Sequence, residues 1–170
     1  MTNHSSRADE WIALATGKYL DMVYRLAHAR TGSKPDAEDV TQEVMLKLVN
    51  HAGEIESERH LKAWLIRVTV NQGNNLFRSA WKRLTAPLNE AVLANSPAPQ
   101  PNDRLDEALS HLNPNLRIAI HLFYYEDMSV NEIAETPHIR PAAVKVRLSR
   151  ARKILRDELA GEGGFTDVPK

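Results

Sequence analysis

Residues 128–159 read MSVNEIAETPHIRPAAVKVRLSRARKILRDEL, and their spacing decides the fold class. Ser129 followed three positions later by Glu132 has the form of a capping box, and Met128 with Ile133 has the spacing of a hydrophobic staple. The helix that starts there, 130–135, has to stop by Pro137, because proline lacks an N–H and restricts its predecessor. A second helix begins near Pro141, a tolerated first-turn position, and continues to about Leu159. At about 100° per residue, Val144, Leu148, Ala151, Leu155 and Leu159 share a stripe about 80° wide. Lys145, Val146, Ser149, Arg150, Lys153 and Arg156 take the opposite arc. A short capped helix, a turn and a longer basic helix make a helix-turn-helix pattern. Residues 140–156 contain seven Lys or Arg and no acid, which favours a DNA-facing helix over a merely solvated one. Arg and Lys there can meet phosphates or guanine edges, and Ser149 can donate to either. Val146 fits contact with a thymine methyl group and an ordinary exposed valine equally well.

Working outward, helical periodicity dominates and no strand alternation of useful length appears. Towards the N-terminus of this motif, Leu105, Leu109 and Leu112 lead to Pro114, a first-turn proline. Leu116, Ile120, Phe123 and Tyr124 are expected to form a buried stripe. Residues 85–102 (TAPLNEAVLANSPAPQPN) hold four prolines, three of them alternating at Pro97, Pro99 and Pro101. Such a segment is semi-extended and, at about 18 residues, reaches on the order of 60 Å.

Before that segment, Trp11, Leu14, Ala15, Leu20, Val23, Tyr24 and Ala27 recur at helical spacing, with Gly17 and Gly32 as expected interruptions. A further helix follows Ser33, with Pro35 in its first turn, acids at Asp36, Glu38 and Asp39 near its positive end, and a buried stripe of Ala37, Val40, Val44 and Leu48. A third long helix covers about 59–84. Arg67, Asn71, Asn74 and Arg78 share one face of it within about 60°. Asn and Arg are side chains suited to base edges or to an unstacked base and its phosphate. Trp64, Phe77 and Trp81 lie among these charges, where they are positioned either to stack on bases or to enter the core; the core reading is preferred for Trp64.

The expected architecture is therefore all-α: a first helical domain over 7–84, a linker over 85–102, a helix-turn-helix domain over 103–159 and a tail over 160–170. The formal net charge is zero, which by itself argues against a nucleic-acid ligand. The distribution argues the other way. Residues 36–58 carry seven acids against Lys47, residues 59–83 carry six Lys or Arg and no acid, and 140–156 are uniformly basic. Blocks of this kind fit separate surfaces for separate partners. There is no cysteine, so disulfides and thiolate metal sites are excluded, and a cytoplasmic location is expected. No apolar run approaches a membrane span. The seven histidines do not form the i, i+4 pair of a helical zinc site, and there is no glycine-rich phosphate loop or nucleophile elbow. No enzyme activity, metal or cofactor is expected.

DAEDVTQEVMLKLVNH followed by HLKAWLIRVTVNQGNNLFR resembles region 2 of the extracytoplasmic-function (ECF) sigma factors of the sigma-70 family. LNPNLRIAIHLFYYEDMSVNEIAE followed by AAVKVRLSRARKILRDEL resembles their region 4. The resemblance spans about 18–84 and 105–159. It implies an alternative sigma factor that binds core RNA polymerase and directs promoter recognition and transcription initiation. It further implies polymerase docking through Asp39, Gln42 and Glu43. The −10 element would be read by the basic helix, with Arg67 and Asn71 at matching positions and Asn71 beside a captured base. The −35 element would be entered by Lys145, Val146, Arg147, Ser149 and Arg150, with Lys153 on the same surface. An anti-sigma factor is the remaining implied partner. Five positions depart from the family pattern, one of them Gly73, where alanine is more usual. Pro137 and His138 stand where a leucine-glycine pair is common in the turn, Val146 where serine is frequent, and Pro141 where a small or apolar residue is usual. The rival reading is a stand-alone helix-turn-helix regulator with a helical dimerisation domain, for which the acidic and basic surfaces of the first domain would be incidental.

Overall fold

A computed structural model describes the backbone of residues 3–84 and 103–161 and the side chains of 5–72 and 104–161. The linker 85–102, the tail from 162, and the side chains of Asn74, Phe77, Arg78 and Trp81 lie outside the described residues. Those that are described form helices and turns, with no strand among them. In order they are α1 (Asn3–Leu14), α2 (Leu20–Thr31), α3 (Lys34–His51), α4 (Glu58–Leu84), α5 (Asp103–Ser110), α6 (Pro114–Ile120), α7 (Val130–Glu135) and α8 (Pro141–Gly161).

Gly17 does not interrupt the first helical stretch. A single wide π-helical turn over Ala15–Tyr19 carries the chain from α1 directly into α2. Gly32 does terminate it: its φ of 70° is left-handed, and its N–H closes on the His28 carbonyl at 2.8 Å. A glycine accepts that conformation without the Cβ clash other residues suffer. Ser33 then caps α3, its hydroxyl accepting from the Asp36 N–H at 3.5 Å, with proline in the first turn as expected.

Helix α2 is the hub. It packs on α3 and α4 on one side and on α6 on the other. Val23, Leu26 and Ala27 of α2, Val40, Val44 and Leu48 of α3, and Leu61 and Leu65 of α4 are all fully buried. The expected stripe of α3 is therefore in place. Trp64 is 8% exposed and stands 5.9 Å from the His51 ring, so it belongs to the core. Residues 103–161 form a second layer, in which α5, α6 and α7 each pack on α8. The buried residues of both parts form one continuous apolar cluster.

One expected stripe is corrected. Ile120 is buried and Phe123 packs against the core, but Tyr124 is 53% exposed and Leu122 is fully buried instead. The cause is a second π-helical turn over His121–Tyr125. An i→i+5 turn places more than 3.6 residues in one revolution, so the register inferred from α-helical spacing slips and the inward position passes to Leu122. The capping box at α7 forms as read: Glu132 N–H donates to the Ser129 hydroxyl at 3.2 Å, and Ser129 N–H donates to the Glu132 carboxylate at 2.8 Å. Ser129→Ala is expected to lower the stability of the second layer by about 1 kcal/mol, the usual worth of such a cap. Chemical denaturation of the wild type and variant checks it.

Candidate nucleic-acid and partner interfaces

The helix-turn-helix is built by α7, a turn and α8. Pro137 ends α7, and His138 adopts a left-handed φ of 52°. The turn thus keeps a conformation natural to glycine with a residue that tolerates it less well. On α8, Val144, Leu148 and Ala151 are buried, which fixes the roll of the helix. Lys145, Val146, Ser149, Arg150 and Lys153 are consequently exposed together on the outer arc, with Val146 at 47%. Arg147 is different. It is half-buried, turned to the flank of α8, and its charge helps lower the pKa of Arg30 on α2.

Arg152 is one of the seven basic residues of this stretch, yet it is held against the wide turn. Its Nε donates to the Tyr124 hydroxyl at 2.7 Å, and its guanidinium lies 5.4 Å from the centre of the Phe123 ring. Exposed Tyr124 therefore serves to brace α8. This pairing joins residues 28 apart and has no signature in local spacing. His111, 3.1 Å from Glu158, steadies the far end of the same helix.

The second basic face lies on α4. Its first turn is pinned from the π-helical turn at 15–19. Tyr19 donates to the Glu58 carboxylate at 2.7 Å, and Lys18 pairs with the same oxygen. Both partners hold the Glu58 carboxyl below its ordinary range, Lys18 the more strongly. Arg7 donates to the Glu56 carbonyl at 3.0 Å, and Ile55 is buried. The loop entering α4 is thus fixed at both ends. Further along, Thr69 and Val70 are buried while Arg67 and Asn71 are exposed. Lys47 of α3 donates to Gln72 at 2.7 Å, beside Asn71. Arg67 and Asn71 are brought to one surface; the side chains of Asn74 and Arg78 lie outside the described residues.

The acidic face of α3 points away from its buried stripe. Asp39, Gln42 and Glu43 are all exposed on it. At about 100° per residue, Leu46 and Val49 fall on the same outer arc, and they are 62% and 58% exposed. The charge pattern of α3 does not single out these two residues. The signal was present: neither belongs to the stripe of Ala37, Val40, Val44 and Leu48, so both had to face outward.

The two layers meet through α2 and α6. Arg117 of α6 donates to the Ala29 carbonyl, and also to the Ser110 and Leu112 carbonyls at 3.1 and 3.3 Å. Ala29 lies in the last turn of α2, where carbonyls lack intrahelical donors and the helix dipole favours a cation. Arg30 donates to the Asn115 side chain at 2.9 Å. Burial lowers the pKa of both arginines, and for Arg30 the neighbouring Arg147 and Arg117 add to it. A methyl group at Gly32 would come within 3.2 Å of the Arg117 guanidinium, so the glycine also leaves room for this contact.

Among the described residues, no group of three or more His, Asp or Glu is placed to hold a metal ion, and no helix is long and apolar enough to cross a membrane. The arrangement presents two outward basic helix faces and one acidic–apolar face, a set suited to binding.

Sigma-70 region 2 matches residues 16–83, and Sigma-70, region 4 matches residues 102–155. The ECF RNA polymerase sigma factor SigE of Mycolicibacterium smegmatis is 31% identical over 160 residues, covering 88% of this chain and 62% of that protein. The chain therefore spans less than two thirds of that relative. The ECF RNA polymerase sigma factor SigL of Mycobacterium tuberculosis is 31% identical over 143 residues, covering 79% of this chain and 81% of that protein. The sigma factor RpoE of Bartonella quintana, solved in complex with the anti-sigma factor NepR, shares the fold with a TM-score of 0.70 at 24% identity, covering 85% of this chain and 93% of that one. With both regions matched in order on either side of the proline-rich segment, the chain belongs to the ECF RNA polymerase sigma factors of the sigma-70 family.

Proposed function

We propose that this chain acts in the cytoplasm as an alternative sigma factor: it docks on core RNA polymerase through the outer face of α3, reads and opens the −10 element with α4, and reads the −35 element with α8. Asp39, Gln42 and Glu43, flanked by exposed Leu46 and Val49, make up the docking face. Arg67 and Asn71, joined by Asn74 and Arg78, form the −10 surface. Lys145, Val146, Ser149, Arg150 and Lys153 form the −35 surface, with half-buried Arg147 at its flank. The observation that carries the reading is that the buried stripes of α4 and α8 each leave a basic helix face outward. Its domain limits are 7–84 and 103–159, joined by 85–102. An anti-sigma factor is a further partner, as the family resemblance implies.

The two DNA surfaces have to separate in use. Elements centred about 25 base pairs apart lie about 85 Å apart at 3.4 Å per pair. A packed chain of this length is only about 40 Å across, from the scaling of radius with residue number. Polymerase would hold the two layers at promoter spacing, with the linker spanning the gap. Each layer's modest DNA contacts would then act at high effective concentration. Loss of condensed counterions from phosphates makes such binding weaken steeply with salt.

The decisive experiment mixes the purified chain with core enzyme and promoter-bearing genomic fragments. A stoichiometric complex that initiates at defined sites is expected. A chain that bound an operator alone and ignored core enzyme at low ionic strength would be the stand-alone regulator instead. Within that assay, Asn71→Ala is expected to keep polymerase binding and to lower open-complex formation about ten-fold, because an extruded base loses its polar partner. Permanganate reactivity of the melted strand reads it, and unchanged reactivity would remove Asn71 from the melting surface.

A further inference from the structure

Beside the Arg117 junction, a cleft of about 430 Å³ lies between α2 and the second layer. Its volume falls in the range of small-molecule sites, which favour the spaces between packed helices and layers. Tyr24, Arg25 and His28 of α2 line one side of it. Arg117 of α6 lines the other, with His121 and Tyr125, the first and last residues of the second π-helical turn. Wide turns of this kind recur at functional sites. Two aromatic pairs border the cleft. The Tyr24 and His28 ring centres are 6.3 Å apart, and the His121 and Tyr125 rings stack at 5.1 Å with 20° between their planes. The charge is lopsided: Arg25 and Arg117 stand against a single acid among the lining residues, Asp106. Glu126 is set back from the cleft, 3.7 Å from Lys62 and 3.7 Å from the His121 ring. Arg25 is exposed, and its Nε makes a long 3.4 Å bond to the Asp21 carbonyl, too weak to engage its charge. Partial burial and the Arg117 charge hold His28 below its ordinary pKa, against the pull of Asp106. Its ring is therefore neutral at about pH 7, able to donate and to accept hydrogen bonds. Shifted groups gathered in a cleft are a mark of binding sites.

We propose that this cleft binds a small aromatic anion, a planar ring bearing a carboxylate or a phosphate. The anionic group sits on Arg25 and Arg117, and the ring lies between the two aromatic pairs. Leu109 and Ile120 supply the apolar lining that the ring needs. Arg25 offers the two parallel N–H donors that match a carboxylate or phosphate. Arg117 spends its Nε and Nη1 on backbone carbonyls, which leaves Nη2 for the ligand. Gly32 lines the cleft beside that nitrogen, where a methyl group would approach it to 3.2 Å, so the glycine keeps it open. An occupant touches both α2 and the second layer and stabilises their contact by its own binding free energy. None of these residues belongs to the polymerase or DNA surfaces proposed above, so the site stands or falls independently of them.

Calorimetric titration of the full chain tests this with 2-naphthoate for the carboxylate and adenosine monophosphate for the phosphate. The uncharged counterparts, 2-naphthamide and adenosine, are titrated beside them. At least one anion is expected to bind with a Kd of about 1 mM or tighter, ordinary for so small a ligand. Which of the two binds identifies the source of the anionic group. Its uncharged counterpart is expected to bind at least about ten-fold more weakly, the worth of a charged hydrogen bond. Arg25→Met is expected to weaken the anion about ten-fold for the same reason. Tyr125→Ala is expected to weaken it about three- to five-fold, the usual range for an aromatic contact. Both side chains are exposed, so the melting temperature of each free variant is expected to stay near that of the wild type. Bound anion is expected to raise the melting temperature of the wild type. Failure of both anions to bind at about 5 mM overturns the proposal. So does an uncharged counterpart that binds as tightly as its anion, or binding that neither substitution weakens.

Discussion

Leu46→Asp is expected to weaken binding to core RNA polymerase about 100-fold while leaving the melting temperature of the free chain unchanged. In the free protein Leu46 is 62% exposed and contributes little to the core. If the outer face of α3 docks on polymerase, this leucine leaves water on binding, which for a full side chain is worth about 1.5–3 kcal/mol. Aspartate forfeits that gain and adds the cost of desolvating a charge. Together they account for about 2.7 kcal/mol, or two decades in Kd. Single large apolar side chains ringed by polar ones are where binding energy concentrates, and Leu46 has Asp39, Gln42, Glu43 and Val49 around it. A titration of labelled core enzyme reads the affinity. Wild-type affinity in the variant would move the docking surface off α3.

The second large effect concerns the fold. Leu26→Ala is expected to destabilise the chain by about 3 kcal/mol, within the range found when a fully buried leucine is truncated. Leu26 has no solvent exposure and sits on α2, the helix that contacts α3, α4 and α6. The cavity would open where the two layers lean on a common element, so neighbouring side chains cannot collapse into it without shifting a helix. For a chain of this length the melting temperature should fall by about 10 °C. Thermal and denaturant unfolding followed by circular dichroism check it. A loss under about 1 kcal/mol would mean that α2 does not carry the core as described.

Much of the site was legible in advance because it depends on short-range rules. The Ser129–Glu132 box, the stop at Pro137 and the restart at Pro141 are local chemistry, and they place α7 and α8 within a residue or so. The stripe of Val144, Leu148 and Ala151 then determines by simple angle which basic residues face outward. The same holds for α3, where the stripe Ala37–Val40–Val44–Leu48 leaves Asp39 and Glu43 on the far side. Leu46 and Val49 follow from the identical arithmetic, although an apolar side chain does not by itself mark an outward position.

What failed were the places where helical spacing is not 3.6. Gly17 reads as a break, but tertiary packing keeps the helix going through a π turn that also delivers Tyr19 and Lys18 to Glu58. The π turn at His121–Tyr125 shifts the register, sending Tyr124 out to hold Arg152 and drawing Leu122 in. A wider turn costs little locally and is repaid by packing, so nothing in the five residues themselves announces it.

The sequence by itself determined the caps of α3 and α7 and the inward stripes of α3 and α8, because each depends on neighbours within a few helical turns, and it carried the three charge blocks by composition alone. Only the tertiary structure decided how the layers meet: Arg117 on the last turn of α2, Arg30 bonded to the Asn115 side chain, and Glu126 set against Lys62. Those contacts join residues far apart in the chain, and their existence rests on summed burial and charge across two surfaces, a quantity that no local pattern encodes.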